Sequence, residues 1–194
     1  MVDLAAACPR GRVQTELGGR CTGTLIAPDQ VLTAAHCLVA PRTGKLVQPG
    51  SVHFLQGYAQ GRFSSRSRAT GLVLGQGYDP AGPSRTADWA ILTLATPIRG
   101  PVLPVIRAIP PPRTPLMLGG YQQDRPEVLL ADTGCRLLGL VNGMLLHDCA
   151  GTRGSSGAPL LMRQGEGWAV LGIASRSHRD LAMGEAVPAS SLPP

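Results

Sequence analysis

Short runs in which apolar and polar residues alternate recur along the whole chain. Alternation with a period of two, in runs rich in β-branched and aromatic residues, is typical of strands that bury one face. About eleven such runs, separated by Gly, Pro, Ser or Asp, predict about eleven strands. They are RVQTEL, GTLIA, VLTAA, SVHFLQGY, ATGLVLGQ, WAILTL, PLMLGGY, CRLLGLV, MLLHDC, APLLM and WAVLGIAS.

The strand-like runs form two groups of similar length. Residues 96–115 lie between the groups and contain many prolines with no sustained alternation, which favours an extended linker. We therefore expect one unit over residues 1–194, built from two β-rich halves at 13–95 and 116–187.

The composition agrees with an all-β fold. The 194 residues are 43% hydrophobic, which is enough for a substantial core, and 25 Gly and 18 Pro favour tight turns over long helices. There is no apolar run of about 18 residues, so no membrane span is expected.

The charge of the chain points to no particular partner. The formal net charge is +6, but the basic residues are scattered and, apart from Lys45, all are arginines. Aromatic residues make up only 4% of the chain. A nucleic-acid-binding protein normally clusters its basic residues or interleaves them with aromatic ones, so we expect no nucleic-acid partner.

Five cysteines suggest a disulfide framework. They form no C-x-x-C pair and no histidine cluster accompanies them, so no metal site is expected. Cys21 and Cys37 bracket two strand-like runs joined at Pro28-Asp29, and Cys135 and Cys149 flank a hairpin with Asn142-Gly143 at its turn, which brings those two sulfurs nearly opposite each other. Two bridges predict an oxidising compartment, the bacterial periplasm or the exterior. Cys8 is left over.

Three separate motifs carry candidate chemistry. His36 lies in VLTAAHC, residues 31–37, and Asp88 begins the apolar run DWAILTL. A buried carboxylate needs a partner, and a histidine N–H is a suitable one. Ser156 lies in GTRGSSGAP, residues 151–159, a Gly-rich turn whose backbone N–H groups at Gly154 and Ser156 could form an oxyanion hole.

Together, LTAAHC, DWAILTL and GSSGAP resemble the active-site signatures of the chymotrypsin/trypsin-like serine peptidases. The resemblance extends from about Val13 to Val187 and implies two packed six-stranded antiparallel β-barrels with the active site between them. It assigns His36 as general base, Asp88 as its orienting group and Ser156 as nucleophile, and it implies a disulfide from Cys21 to Cys37. Residues 13–95 and 116–187 would be the two barrels.

The GSSGAP motif is most similar to the bacterial glutamyl-endopeptidase-like branch of that family. Ser155 stands where the best-known animal enzymes have an aspartate that pairs with a new N-terminus, so we expect an active site that forms without this ion pair. The resemblance places the substrate pocket near Ala150 and Gly151 on one side and near Ser175, Arg176 and Ser177 on the other. Together with Arg153 and His178, Arg176 could favour an acidic side chain, but a small or apolar preference stays open.

The sequence thus predicts a monomeric, exported serine endopeptidase that acts on peptides or proteins and needs no cofactor. An α/β-hydrolase is excluded because Ala158 replaces the last glycine of G-x-S-x-G and the order of the three residues is wrong. The alternative from another class is an inactive protein of the same fold that binds a peptide or protein in its cleft.

Overall fold

Two closed antiparallel β-barrels with the same strand order make up the protein. The computed structural model describes residues 8–83, 85–122, 124–151 and 155–194. The first barrel has the order β1-β2-β3-β6-β5-β4, and the second repeats it as β7-β8-β9-β12-β11-β10. The predicted all-β fold with two six-stranded barrels is therefore confirmed.

The strands of the first barrel are short. They are β1 (Arg10–Thr15), β2 (Arg20–Ala27), β3 (Gln30–Thr33), β4 (Val52–Gln56), β5 (Ser65–Leu74) and β6 (Ala90–Leu94). 3₁₀ helices at Ala35–Leu38 and Pro49–Ser51 lie between β3 and β4. Ala27 pairs with Gln30 across the turn at Pro28-Asp29. This turn joins β2 to β3 and thereby sets where the following 3₁₀ helix begins.

The second barrel contains the longest strands. They are β7 (Pro115–Gln122), β8 (Arg125–Val141), β9 (Met144–His147), β10 (Pro159–Gln164), β11 (Gly167–His178) and β12 (Met183–Pro188), with 3₁₀ helices at Arg179–Leu181 and Ala189–Ser191. Asn142 and Gly143 have φ of 50° and 77°. Both values are positive, as a tight two-residue hairpin turn requires, and β8 and β9 therefore pair directly.

Both predicted disulfides are present. Cys21 and Cys37 are bonded with their Cα atoms 6.0 Å apart, and Cys135 and Cys149 with theirs 4.6 Å apart. Each bridge lies within one barrel. Cys8 is a free, buried cysteine.

The segment between β6 and β7 contacts both barrels. Leu103 N donates to Leu25 O of the first barrel, and Ile106 N donates to Val170 O of the second. Its one bridge to a strand, between Val105 and Val170, is parallel. The segment therefore follows the side of the molecule where the two barrels meet.

Two strands differ from the prediction made from the sequence. β12 was not predicted, because MGEAVP is short and contains Gly, Glu and Pro instead of an alternating apolar run. β8 begins at Arg125, ten residues before the predicted CRLLGLV run. Its first half pairs with β7 and its second half with β9, so pairing with neighbours overrides the unfavourable Pro126 and Gly134. Within the described ranges, no helix is long and apolar enough to span a membrane.

Candidate active site

His36 is held against Asp88 by two contacts. It lies in the 3₁₀ helix that follows β3, where the Cys21–Cys37 disulfide ties the next residue to β2. His36 N donates to Asp88 Oδ1 at 2.9 Å, and His36 Nδ1 lies 2.8 Å from Asp88 Oδ2. Because a carboxylate only accepts, Nδ1 carries the proton and Nε2 is left as the basic nitrogen. The His36 side chain is 39% exposed and lines a cavity in the cleft.

Asp88 is a buried carboxylate with its partners supplied by both barrels. The residue is 6% exposed and immediately precedes Trp89 and β6. Besides its two contacts with His36, it accepts a hydrogen bond of 2.5 Å from Ser175 Oγ at Oδ2. Ser175 belongs to β11 of the second barrel. Three donors thus compensate for the burial of the charge and connect the barrels at this point.

Ser156 is positioned by contacts of its own backbone with the first barrel. Its carbonyl accepts from Thr22 N at 3.0 Å. Gly157 has φ of 77°, and a Cβ there would lie 2.3 Å from both Thr22 O and Thr33 Oγ1 and 3.0 Å from Ala34 N. Only glycine permits this approach. The turn that carries Ser156 therefore lies against the backbone two residues before His36.

A cavity of about 290 Å³ opens beside Ser156 in the second barrel. Of the residues predicted to bind substrate, Gly151, Ser175, Arg176 and Ser177 line it. Ala150 does not. It is exposed, and its backbone N–H donates to Asp132 Oδ2 at 2.7 Å. Arg153 and Gly154 lie outside the described residues.

A smaller cavity of about 200 Å³ adjoins His36. Asp88, Tyr78, Ser175 and Arg176 are among its lining residues. Ser175 and Arg176 also line the cavity beside Ser156, so the two spaces meet at these residues. Burial, reinforced by the Asp88 carboxylate, raises the pKa of Tyr78 to about 12. Tyr78 therefore presents a neutral hydroxyl to the cleft at neutral pH.

His178 is engaged with a carboxylate. His178 Nε2 lies 3.0 Å from Glu185 Oε1, and Arg85 Nη1 lies 3.6 Å from the same oxygen. Arg85 comes from the loop that leads to Asp88, so this cluster is a second polar connection between the barrels. The imidazole lines the cavity beside Ser156, but its Nε2 is directed to Glu185.

His147 was not singled out from the sequence, yet it lines the cavity beside Ser156. It ends β9, is 2% exposed, and pairs in register with Gly184 of β12. Burial lowers its pKa to about 4, against the opposing influence of the Asp148 and Asp132 carboxylates. The place of His147 beside the cavity follows from the pairing of β9 with β12, and β12 is the strand that the alternation pattern did not predict.

One group of potential metal ligands occurs among the described residues. It consists of Cys21, His36 and Cys37. Both sulfurs are joined in a disulfide and therefore supply no thiolate, the form in which cysteine binds a metal. This group does not fit a metal ion.

Comparisons with known proteins identify the fold and the family. Residues 21–173 match the family model described as "Trypsin-like peptidase domain". Among solved structures, a Glu endopeptidase in complex with MPD aligns with a TM-score of 0.81 and 17% identity over 98% of this chain and 88% of that one. The VesB protease of Vibrio cholerae aligns with a TM-score of 0.74 and 20% identity over 96% of this chain. The aligned region is 62% of the VesB chain. At these identities the two structures support the fold alone.

Proposed function

The chain belongs to the trypsin-like peptidase family, and from this premise we propose that it is a serine endopeptidase working through a His36-Asp88-Ser156 triad. A peptidase of this family acts on peptide or protein substrates. The observation that carries the proposal is the junction of the two barrels. There the His36-Asp88 pair of the first barrel receives the Ser175 hydroxyl, and the Ser156-Gly157 backbone of the second barrel lies against Thr22, Thr33 and Ala34 of the first.

The contacts of His36 supply the requirements of a general base. His36 Nε2 accepts the proton of Ser156 Oγ as that oxygen attacks the carbonyl carbon of the scissile bond. Asp88 holds the ring through Nδ1 and stabilises the imidazolium that forms. The imidazolium then gives the proton to the departing amine nitrogen, the C–N bond breaks, and an ester to Ser156 remains. Water, deprotonated by His36, hydrolyses this ester and regenerates the hydroxyl.

The tetrahedral intermediate requires donors for its oxyanion. The similarity of GSSGAP to the family motif assigns this role to the backbone N–H groups of Gly154 and Ser156. The positive φ of Gly157 supports a tight turn at this place. Gly151, Ser175, Arg176 and Ser177 would contact the side chain that precedes the scissile bond.

The remaining parts of the proposal concern organisation and compartment. We infer a single catalytic unit with barrels at 13–95 and 116–187 and a linker at 96–115, acting as a monomer. Two disulfides within the catalytic unit support function in an oxidising compartment, the periplasm or the exterior of a bacterium.

The test is labelling of the folded protein with a fluorophosphonate, which reacts with an activated serine. We expect one equivalent to attach at Ser156 and turnover of a mixed peptide library to fall about 10⁴-fold or more in Ser156→Ala. Ser51→Ala is the matched control, because the Ser51 hydroxyl donates to Gln48 O at 2.7 Å and Ser51 lines neither the cavity beside Ser156 nor the one beside His36. Near-normal turnover in Ser156→Ala contradicts the assignment. Absence of labelling in correctly folded protein would support a peptide-binding protein without activity.

A further inference from the structure

Another cavity, larger than the two at the candidate active site, opens between the barrels beside Arg10. Its volume is about 480 Å³, which is within the usual range for small-molecule sites. Arg10 and Ala59 line it from the first barrel, and Val128 and Leu129 of β8 line it from the second. This Arg10 cavity shares no lining residue with the cavity beside Ser156 or the one beside His36. It is therefore a separate space.

The guanidinium of Arg10 has no acidic partner in the part of the chain that the structure describes. Arg10 is half-buried, its Nη1 packs on Gly119 of β7 without a hydrogen bond, and none of the ion pairs includes it. Glu127 is engaged elsewhere, because Arg12 Nη1 lies 3.3 Å from its Oε1 and Tyr58 Oη donates to its Oε2 at 2.5 Å. An arginine stays charged in proteins, so its unused N–H groups favour an anionic ligand, and a carboxylate can accept from two of them.

The rest of the cavity wall suits a hydrocarbon chain better than a peptide. Ala59 and Leu129, whose side chains are aliphatic, line it together with Tyr58 and Tyr121. The two tyrosine hydroxyls already donate, one to Glu127 and the other, Tyr121 Oη, to Tyr58 O at 2.8 Å. An occupant with several amide groups would leave some of them without a partner, which costs free energy, whereas a methylene chain has no such groups.

We propose that the Arg10 cavity is a second binding site, which takes an amphiphile with one carboxylate and a hydrocarbon chain, such as a medium-chain fatty acid. The carboxylate pairs with the Arg10 guanidinium, and the chain lies between β8 and the segment that follows β4. No carboxylate occurs among the described lining residues, so the ligand meets no like charge there. The site does not depend on the proposed peptidase function.

A ligand in this cavity would contact both barrels and adjoin the turn that carries Ser156. Tyr121 N donates to Thr22 Oγ1 at 2.9 Å, and Thr22 N donates to Ser156 O at 3.0 Å. The wall of the Arg10 cavity is thus two hydrogen bonds away from that turn. Since a ligand that binds only the folded protein stabilises it by mass action, occupancy should raise the Tm of the joined barrels.

The experiment measures binding of radiolabelled decanoate by equilibrium dialysis, below the concentration at which it forms micelles. We expect saturable binding of one equivalent to the unmodified protein. 1-Decanol has the same chain without the charge and should bind about tenfold more weakly or worse, because it lacks the charge-assisted hydrogen bonds. Absence of saturable decanoate binding to folded protein overturns the inference.

Two variants separate the charge of the site from its space. Arg10→Met removes the guanidinium but keeps an apolar stem, so decanoate should bind about tenfold more weakly or worse while decanol binds as before. Ala59→Leu fills part of the cavity and should weaken both ligands. Arg66→Met is the matched control, since Arg66 is an exposed arginine of β5 that does not line the cavity. Equal decanoate affinity in Arg10→Met and the unmodified protein contradicts the assignment of Arg10.

Mapping by NMR in the unmodified protein locates the ligand and does not depend on any variant folding. Decanoate should shift the amide signals of Gly57, Ala59 and Leu129, which line the Arg10 cavity. Shifts concentrated instead at Gly151 and Ser177 would place decanoate in the cavity beside Ser156 and overturn the inference. Protein labelled with a fluorophosphonate should bind decanoate equally well, and a failure of labelling would overturn the proposed function without affecting this measurement.

A peptide ligand is distinguished by N-acetyl-leucyl-leucine, whose carboxylate follows apolar side chains and two amide groups. We expect it to bind more weakly than decanoate, because its amide groups would go unpaired in the cavity. Tighter binding of this peptide than of decanoate would assign the cavity to the C-terminus of a peptide and overturn the assignment to a fatty acid.

Discussion

Each barrel carries a histidine at or shortly after the end of its third strand, and the two rings have different surroundings. In the first barrel, His36 follows β3, and Asp88 precedes the paired strand β6. In the second, His147 ends β9 and pairs with Gly184, the second residue of β12. One ring is thus opposite a carboxylate and the other is opposite a glycine.

This difference determines what each ring can do. His36 is oriented by two contacts with Asp88 and is 39% exposed, so its free nitrogen can exchange a proton with a group in the cleft. His147 is 2% exposed, its ring packs on the Gly184 backbone, and its Nε2 is buried with no hydrogen-bond partner among the described residues. The first barrel would orient the chemistry, and the second would select the substrate.

The largest expected effect comes from making the partner of His36 neutral. Asp88→Asn keeps the shape of the side chain but presents an amide that can stabilise the wrong tautomer of the ring. We expect kcat to fall about 10⁴-fold with little change in KM. Steady-state kinetics on one peptide, with thermal unfolding as a check on folding, measures this. A loss of less than about tenfold would mean that the His36-Asp88 pair is structural.

Removal of either disulfide tests whether each bridge serves its own barrel. The bridges close loops with sequence separations of 16 and 14 residues, so each should contribute about 3 kcal/mol to the free energy of unfolding. Replacing Cys21 and Cys37 by serine should also lower kcat, since His36 adjoins Cys37. The matched pair of changes at Cys135 and Cys149 should instead alter the preference for the side chain before the scissile bond, since Cys149 lines the cavity beside Ser156. Denaturant unfolding measures the stability of each variant, and kcat/KM on peptides that differ in the residue before the scissile bond measures its function. Identical functional effects of the two pairs of substitutions would mean that the two barrels do not have separate roles.

The pH dependence of the free energy of unfolding should include a contribution from His147. Its pKa is about 4 in the folded protein and 6.5 in the unfolded reference, so the unfolded chain binds more protons between these values. The stabilisation is complete above about pH 6.5 and is lost as pH falls toward 4, by about 3 kcal/mol in total. Denaturant unfolding at pH 7, 5.5 and 4 should show a smaller decrease in His147→Leu. An equal decrease in both proteins would mean that His147 does not contribute to the pH dependence of stability.

The smallest expected effect concerns the contact that couples the barrels. Ser175→Ala removes one of the three donors to Asp88, leaving a buried oxygen less satisfied. We expect kcat to fall about tenfold, while Ser175→Thr, which keeps the hydroxyl, should retain most of the activity. Comparison of the two variants on the same peptide makes the measurement. If both variants behave alike, the hydroxyl contributes nothing beyond filling space.

Much of the molecule follows from local sequence signals. The Asn142-Gly143 dipeptide predicts its hairpin, the cysteine spacings predict both disulfides, and three motifs bring attention to His36, Asp88 and Ser156. Ser175, which the family resemblance placed at the substrate pocket, lines the cavity beside Ser156. These features depend on residues whose chemistry is recognisable close to where they occur along the chain.

What could not be predicted depends on pairing between distant strands. β12 contains no clear alternation and is ordered by its neighbours β9 and β11. The packing of the His147 ring on Gly184 arises from the pairing of β9 with β12. The start of β8 at Arg125 likewise reflects its pairing with β7. None of these positions has a local pattern that distinguishes it from a loop or an ordinary core residue.

The backbone contact between Ser156 and Thr22 has a consequence for the order of events during maturation. Each barrel holds its own disulfide, but the turn that carries Ser156, the proposed nucleophile, also accepts a hydrogen bond from Thr22 N of the opposite barrel. A half-finished molecule with one barrel formed would thus lack hydrolytic competence. Activity would emerge at the docking step, last of all, when little unfolded chain remains to be cut.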